Sequence, residues 1–216
     1  MRSKRDNLTL VSSDKNSDTV LWEKVRSGNH EALAEIFKLH YAGLFAYGIK
    51  IVPFHDFVRD HIQELFLTIW QSHDRLSSVS NIKAYLLVSL RRLMLKSRKS
   101  TPTEDLNEKG NGDFLIFEQG EFVDREVISS QIKEQLLENI NALPNKHREV
   151  VFLRFYHDLS YREIAEIVEI KEQTIKNMMP GVFSKLRNGL TNIKRDDLND
   201  LDVMLFEFFT LFKRNF

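Results

Sequence analysis

Gln173, Thr174, Lys176 and Asn177 place two amides, a hydroxyl and a cation within five residues. Amide side chains can pair with an adenine edge, and a cation can reach guanine or phosphate. At the front of a helix, this set is what a major-groove reader needs. A second constellation is basic: Arg91, Arg92, Lys96, Arg98 and Lys99 stand in a stretch that holds no acid. Such side chains suit phosphate contacts, which give affinity and salt dependence but no sequence information. A third set, Asp60, Gln63 and Glu64, falls within about one helical turn and can share an exposed patch. No comparable set supports catalysis. The chain carries no Gly-rich phosphate loop and no HExxH motif. Its histidines at 30, 40, 55, 61, 73, 147 and 157 lack ligand spacing. No catalytic residue, metal site or cofactor is expected.

These residues need helices to hold them. From Leu143 to Arg187 the pattern predicts three or four short helices ending in a helix-turn-helix. Ser160 stands three residues before Glu163, a capping box that starts a helix. Ile164, Ala165, Ile167 and Val168 give that helix an apolar face. Glu169, Ile170 and Lys171 fit the turn, and a second helix carries Gln173 to Asn177 near its start. A plain helical hairpin would show the same periodicity, so this segment alone leaves the choice open. Pro180-Gly181 inside the second helix predicts a kink or stop near Met179, because proline lacks the N–H and clashes with the carbonyl four residues back.

Upstream, Asp18 can cap a short helix carrying Val20, Leu21, Trp22 and Val25, which Gly28 and Asn29 break. A longer helix carries Ile36, Phe37, Tyr41, Leu44, Phe45 and Ile49 until Pro53 stops it. A third helix, from about Asp56 to His73, buries Ile62, Leu65, Phe66 and Ile69, with Trp70 also read as core. A fourth, Asn81 to Lys99, turns Leu86, Leu90, Leu93 and Met94 inward. Four such helices can close one small core.

Between the halves the composition changes. Glu104, Asp105, Glu108, Asp113, Glu118, Glu121, Asp124 and Glu126 face only Lys109 and Arg125, with Pro102, Gly110, Gly112 and Gly120 interspersed. This stretch reads as an acidic, flexible linker. The chain is therefore expected to be all-α, with two small helical domains at 18–99 and 129–190. The linker spans 100–128, and an apolar C-terminal extension spans 191–216. That extension could fold back on the second domain, bind a regulator or lie at a membrane surface. The 216 residues suffice for two small domains, and the absence of cysteine suits a reducing cytoplasm. The net charge of zero requires segregated charge if nucleic acid is the partner.

The two halves together resemble a known family. "DFVRDHIQELFLTIW" (Asp56 to Trp70) followed by "NIKAYLLVSLRRLMLKSRK" (Asn81 to Lys99) resembles the core-binding and promoter-melting region of bacterial sigma factors. Leu143-Pro144 and the helix-turn-helix at Ser160, Tyr161, Glu163, Ile164, Ala165, Thr174, Ile175 and Lys176 resemble their promoter-distal DNA-binding region. The order and separation resemble the small extracytoplasmic-function (ECF) group of the sigma-70 family.

The resemblance implies a cytoplasmic sigma factor that binds core RNA polymerase and directs promoter-specific initiation, with the chemistry left to the polymerase. It implies that Asp60, Gln63 and Glu64 dock on the β′ clamp helices and that the second domain meets the β flap. Ser80, Asn81, Lys83, Arg91, Arg92 and Lys96 would meet the −10 element, where a flipped base needs a loop such as Ser77 to Lys83 to hold it. Gln173, Thr174, Lys176 and Asn177 would read the −35 element. An anti-sigma factor is an expected partner, a small-molecule substrate is not, and the chain is expected to be a monomer outside the holoenzyme. Two positions depart from the family: many members have asparagine where Arg92 stands, and a polar-basic pair usually stands at Pro180-Gly181. The alternative reading is a stand-alone helix-turn-helix regulator, which has no need of the patch at Asp60, Gln63 and Glu64. A protein-interaction module that has lost DNA binding is the third.

Overall fold

Gly28-Asn29 and Pro53 end helices where the sequence places the breaks. The computed structural model describes residues 18–100, 117, 130–190 and 201–212, and all regular structure among them is helical. Helix α1 spans 18–26. Gly28 then turns the chain at φ 83°, a left-handed conformation that glycine adopts without a Cβ clash. Asn29 accepts the Ala32 N–H at 2.9 Å through Oδ1 and so caps α2 (His30–Ile51). After Pro53 come α3 (His55–Gln71), a 3-10 turn (His73–Arg75) and α4 (Ile82–Ser100). Asn81 repeats the capping device, accepting the Ala84 N–H at 3.1 Å.

The first core gathers Trp22 and Val25 from α1, Ile36, Leu44 and Tyr47 from α2, Val58, Ile62 and Ile69 from α3, and Leu86, Leu90 and Met94 from α4. Gly48 lets α2 and α3 approach closely: a Cβ there would lie 2.5 Å from Val58 Cγ1. Helix α1 also ties down the loop ahead of α4. Trp22 Nε1 donates to the Ser77 carbonyl at 3.0 Å, and Arg26 Nε donates to the Leu76 carbonyl at 2.8 Å.

The second half holds α5 (Ser130–Asn141), α6 (Asn145–Phe155), α7 (Tyr161–Val168), α8 (Glu172–Gly189) and α9 (Leu201–Phe212). Helix α6 is central; α7, α8 and α9 all pack on it, which explains why Val150, Val151, Phe152 and Leu153 are buried in succession. Arg148, itself buried, donates to the Asn141 carbonyl at 2.7 Å and so satisfies an acceptor left over at the end of α5. The C-terminal stretch folds back. Leu201, Leu205, Phe208 and Phe209, one stripe at helical spacing, are fully buried, and α9 packs on α6.

The described residues form two compact units. One comprises residues up to Gly48 and from Phe54 through α4; the other comprises Ile49–Pro53, Phe117 and α5 to α9. The expected linker, 100–128, lies outside the described residues except for its first residue and Phe117. Phe117 is buried against Phe152 and Phe209, with ring centroids 5.6 and 5.7 Å away.

Candidate functional site

The start of α7 is built as the capping-box pattern predicts. Ser160 N–H donates to Glu163 Oε2 at 2.7 Å, and Glu163 N–H donates to Ser160 Oγ at 3.3 Å. Helix α7 buries Ile164, Ala165, Ile167 and Val168 and ends on Glu169, held left-handed at φ 56°. The chain then turns into α8. This is a helix-turn-helix, so the plain hairpin reading falls away.

Helix α8 corrects one expectation. It runs unbroken for 18 residues, Glu172–Gly189, with Pro180 inside it. The physical reason is burial: Ile175, Met179, Val182 and Leu186 form a continuous stripe into the core on both sides of the proline. Proline costs about 3 kcal/mol in a helix interior, and tertiary packing of the apolar stripe outweighs it.

Gln173, Thr174, Lys176 and Asn177 are all exposed near the start of α8. Gln173 Nε2 donates to Asn177 Oδ1 at 2.9 Å, which pre-orients the two amides. Lys176 Nζ lies 2.6 Å from Glu172 Oε1, a pair that a phosphate would have to replace. On α6, burial and the Lys185 charge hold the His147 imidazole below its ordinary pKa.

On α3, Asp60, Gln63 and Glu64 are exposed on one face, opposite the buried Val58, Ile62, Leu65 and Ile69. Sequence reasoning missed Leu67. It sits four residues after Gln63 on the same face and is 60% exposed. The signal was available: Leu67 falls outside the buried stripe of α3. Beside it, His30, Leu33, Ala34, Phe37, Gln63, Phe66, Leu67 and Trp70 line an open apolar groove of ≈ 490 Å³ between α2 and α3. Trp70, read from sequence as core, instead lines this groove, half-buried and stacked on His73 at 5.1 Å. His30 also meets the Trp70 ring, edge to face, with centroids 6.1 Å apart.

The basic residues of α4 do not share one face. Arg92 and Lys96, one turn apart, are exposed; Arg91 and Arg98 are half-buried to one side, and Lys83 is half-buried on the side of α4 that faces the core. Ser80 is exposed just ahead of the helix, and Asn81 is engaged as its cap. Beneath Lys83, His40 is buried, with Nε2 at 3.2 Å from Asp18 Oδ2 but not aligned as a hydrogen bond. Burial lowers the His40 pKa; Asp18 opposes the shift and Lys83 reinforces it. Among the described residues, no cluster of His, Cys, Asp or Glu could hold a metal ion, and no helix is long and apolar enough to cross a membrane.

Comparison with known proteins agrees with this geometry. The family model "Sigma-70, region 4" matches residues 133–179, which spans most of α5, α6, α7 and the first half of α8. The ECF RNA polymerase sigma factor SigW of Bacillus subtilis (strain 168) is 22% identical over 178 residues, covering 79% of this chain and 95% of SigW. The ECF RNA polymerase sigma factor SigK of Mycobacterium tuberculosis (strain ATCC 25618 / H37Rv) is 21% identical over 171 residues, 79% of this chain and 91% of SigK. Two solved structures share the fold. CnrH, in complex with the cytosolic domain of CnrY, gives a TM-score of 0.50 at 19% identity over 78% of this chain and 94% of that chain. The sigma factor RpoE from Bartonella quintana, in complex with the anti-sigma factor NepR, gives 0.50 at 21% identity over 74% and 98%.

Proposed function

We propose a division of labour for this chain, which belongs to the ECF group of sigma-70 RNA polymerase sigma factors: α3 binds core polymerase, and α4 and α8 bind promoter DNA. The observation that carries the reading is the exposed face of α3. Asp60, Gln63 and Glu64 surround the exposed Leu67, beside an apolar groove. An apolar centre with a polar rim suits a protein partner. A stand-alone regulator has no use for such a face on the unit that lacks the helix-turn-helix.

On this reading the α3 face docks on the β′ clamp helices of core polymerase, and the second unit meets the β flap. Ser80 and Asn81, with the loop that Trp22 and Arg26 hold from behind, receive the −10 element. Arg92 and Lys96 add phosphate contacts from the exposed face of α4. Arg91, to one side of that face, reaches the same strand, and Lys83 meets the −10 element from the first turn of α4. Gln173, Thr174, Lys176 and Asn177 meet the −35 element in the major groove. The polymerase performs the chemistry in the cytoplasm, and the chain needs no cofactor or small-molecule substrate. Outside the holoenzyme it is a monomer, held by an anti-sigma protein; both solved relatives described above are bound to another protein.

The test is co-purification of the full chain with core RNA polymerase, followed by run-off transcription from genomic fragments. Promoter-specific transcripts that require the chain are expected. A chain that binds DNA but neither binds core polymerase nor supports initiation would return the reading to a stand-alone regulator.

A further inference from the structure

Helix α8 departs from a basic DNA reader at its centre. Opposite its buried stripe, Gln173, Asn177, Pro180 and Ser184 follow one another at helical spacing and all are exposed. This outward stripe carries no charge. Pro180 stands in its middle with an exposed ring, and the next residue, Gly181, leaves open space: a Cβ built there meets nothing within 4 Å. Proline is the least favourable residue for a helix interior, yet α8 is continuous through it. The centre of the reading face is thus apolar, rigid and stripped of bulk.

We infer that Pro180 reads sequence: its ring contacts the C5-methyl of a thymine in the upstream promoter element, beside the bases met by Gln173 and Asn177. This rests on the sigma-factor reading of α8. The major groove offers one apolar feature on its floor, the thymine methyl, and small apolar side chains are its natural partners. The hydrogen-bonded amides of Gln173 and Asn177 retain donors and an acceptor for an adenine edge, N6 and N7. Lys176 lies to the side of the stripe, paired with Glu172, where it is suited to phosphate. The element read by α8 is therefore rich in A·T pairs, and part of its discrimination is apolar and insensitive to salt.

The experiment removes one methyl group from the DNA. The full-length chain, bound to core RNA polymerase, selects duplexes from a pool randomised over the upstream promoter region. Each recovered thymine is then replaced singly by uracil, which lacks only the C5-methyl. At one position the replacement is expected to weaken wild-type binding about three- to fivefold, the scale of one buried methyl. In Pro180→Ser that sensitivity should vanish, while Pro180→Ala, which keeps a methyl of its own, should retain part of it. Both variants restore a backbone N–H to α8, so folding is not at risk. No methyl-sensitive position in the wild type, or undiminished sensitivity in Pro180→Ser, overturns the inference and leaves the sigma-factor reading intact. Failure to bind core polymerase or to enrich any sequence overturns that reading, and the inference with it.

Discussion

Phe117 and Asn141 hold each other at both backbone groups. The Phe117 N–H donates to Asn141 Oδ1, and Asn141 Nδ2 donates to the Phe117 carbonyl, each at 2.8 Å. One amide side chain thereby pins a residue from the middle of the acidic stretch onto the end of α5, with the Phe117 ring against Phe152 and Phe209. Asn141→Leu removes both hydrogen bonds from a buried backbone. The second unit should lose about 1–3 kcal/mol, the cost of leaving such groups unpaired. Urea denaturation of the full chain measures it, and an unchanged midpoint would show that the anchor carries no stability.

Helix α9 is expected to be part of the second core. Phe209 is fully buried and packs on Phe117, Phe152 and Phe155. Phe209→Ala should cost about 3–5 kcal/mol through lost burial and a residual cavity. Thermal unfolding followed by Phe and Tyr fluorescence reads the change. A loss below a few tenths of that size would mean that α9 is only loosely docked.

The α3 face should respond to substitution without loss of fold. Gln63→Ala with Glu64→Lys is expected to weaken core polymerase binding by more than about 1 kcal/mol, since a reversed charge at a desolvated interface is costly. Leu67→Asp should do at least as much, because Leu67 is exposed already and its replacement leaves no cavity. Binding titrations with purified core polymerase, paired with thermal melts, separate an interface effect from unfolding.

His40 predicts a pH dependence. Its pKa is lowered in the folded chain from 6.5, chiefly by burial, so the unfolded chain binds the proton more readily. Stability from this residue is present above the ordinary histidine range and falls as pH drops below it. His147 shifts in the same direction and adds to the slope. Denaturation midpoints measured from pH 7.5 down to pH 5 should decline, and His40→Gln should flatten the curve. A steeper decline in the variant would contradict the assignment.

Gly181 offers a gain of function. The space around it accepts a side chain, so Gly181→Arg should leave α8 intact and add one phosphate contact. Promoter affinity of the holoenzyme should rise, and the log–log salt slope should steepen by about 0.9. An unchanged slope would place Gly181 away from the DNA backbone.

Much of this protein could be read from residue types and spacing, because the signals are local. Gly28-Asn29, Pro53 and the Ser160–Glu163 box act within one turn of chain, and each ends or starts a helix where the sequence indicates. The alternation of apolar and polar residues on α3 likewise assigned Asp60, Gln63 and Glu64 to one exposed face, since a 3.6-residue period fixes which side chains share a side. The tertiary structure decided what depends on contacts far apart in sequence. Pro180 predicts a broken helix, but the buried stripe from Ile175 to Leu186 holds α8 through it. Trp70 has the composition of core, yet it lies at the lip of a groove that exists only when α2 and α3 pack. Arg91 and Arg92 are neighbours in sequence but part on the helix surface by about 100°, the angle of one residue. Phe117 reads as one apolar residue in an acidic stretch. Its role follows from Asn141 and Phe209, which only the folded chain brings to it.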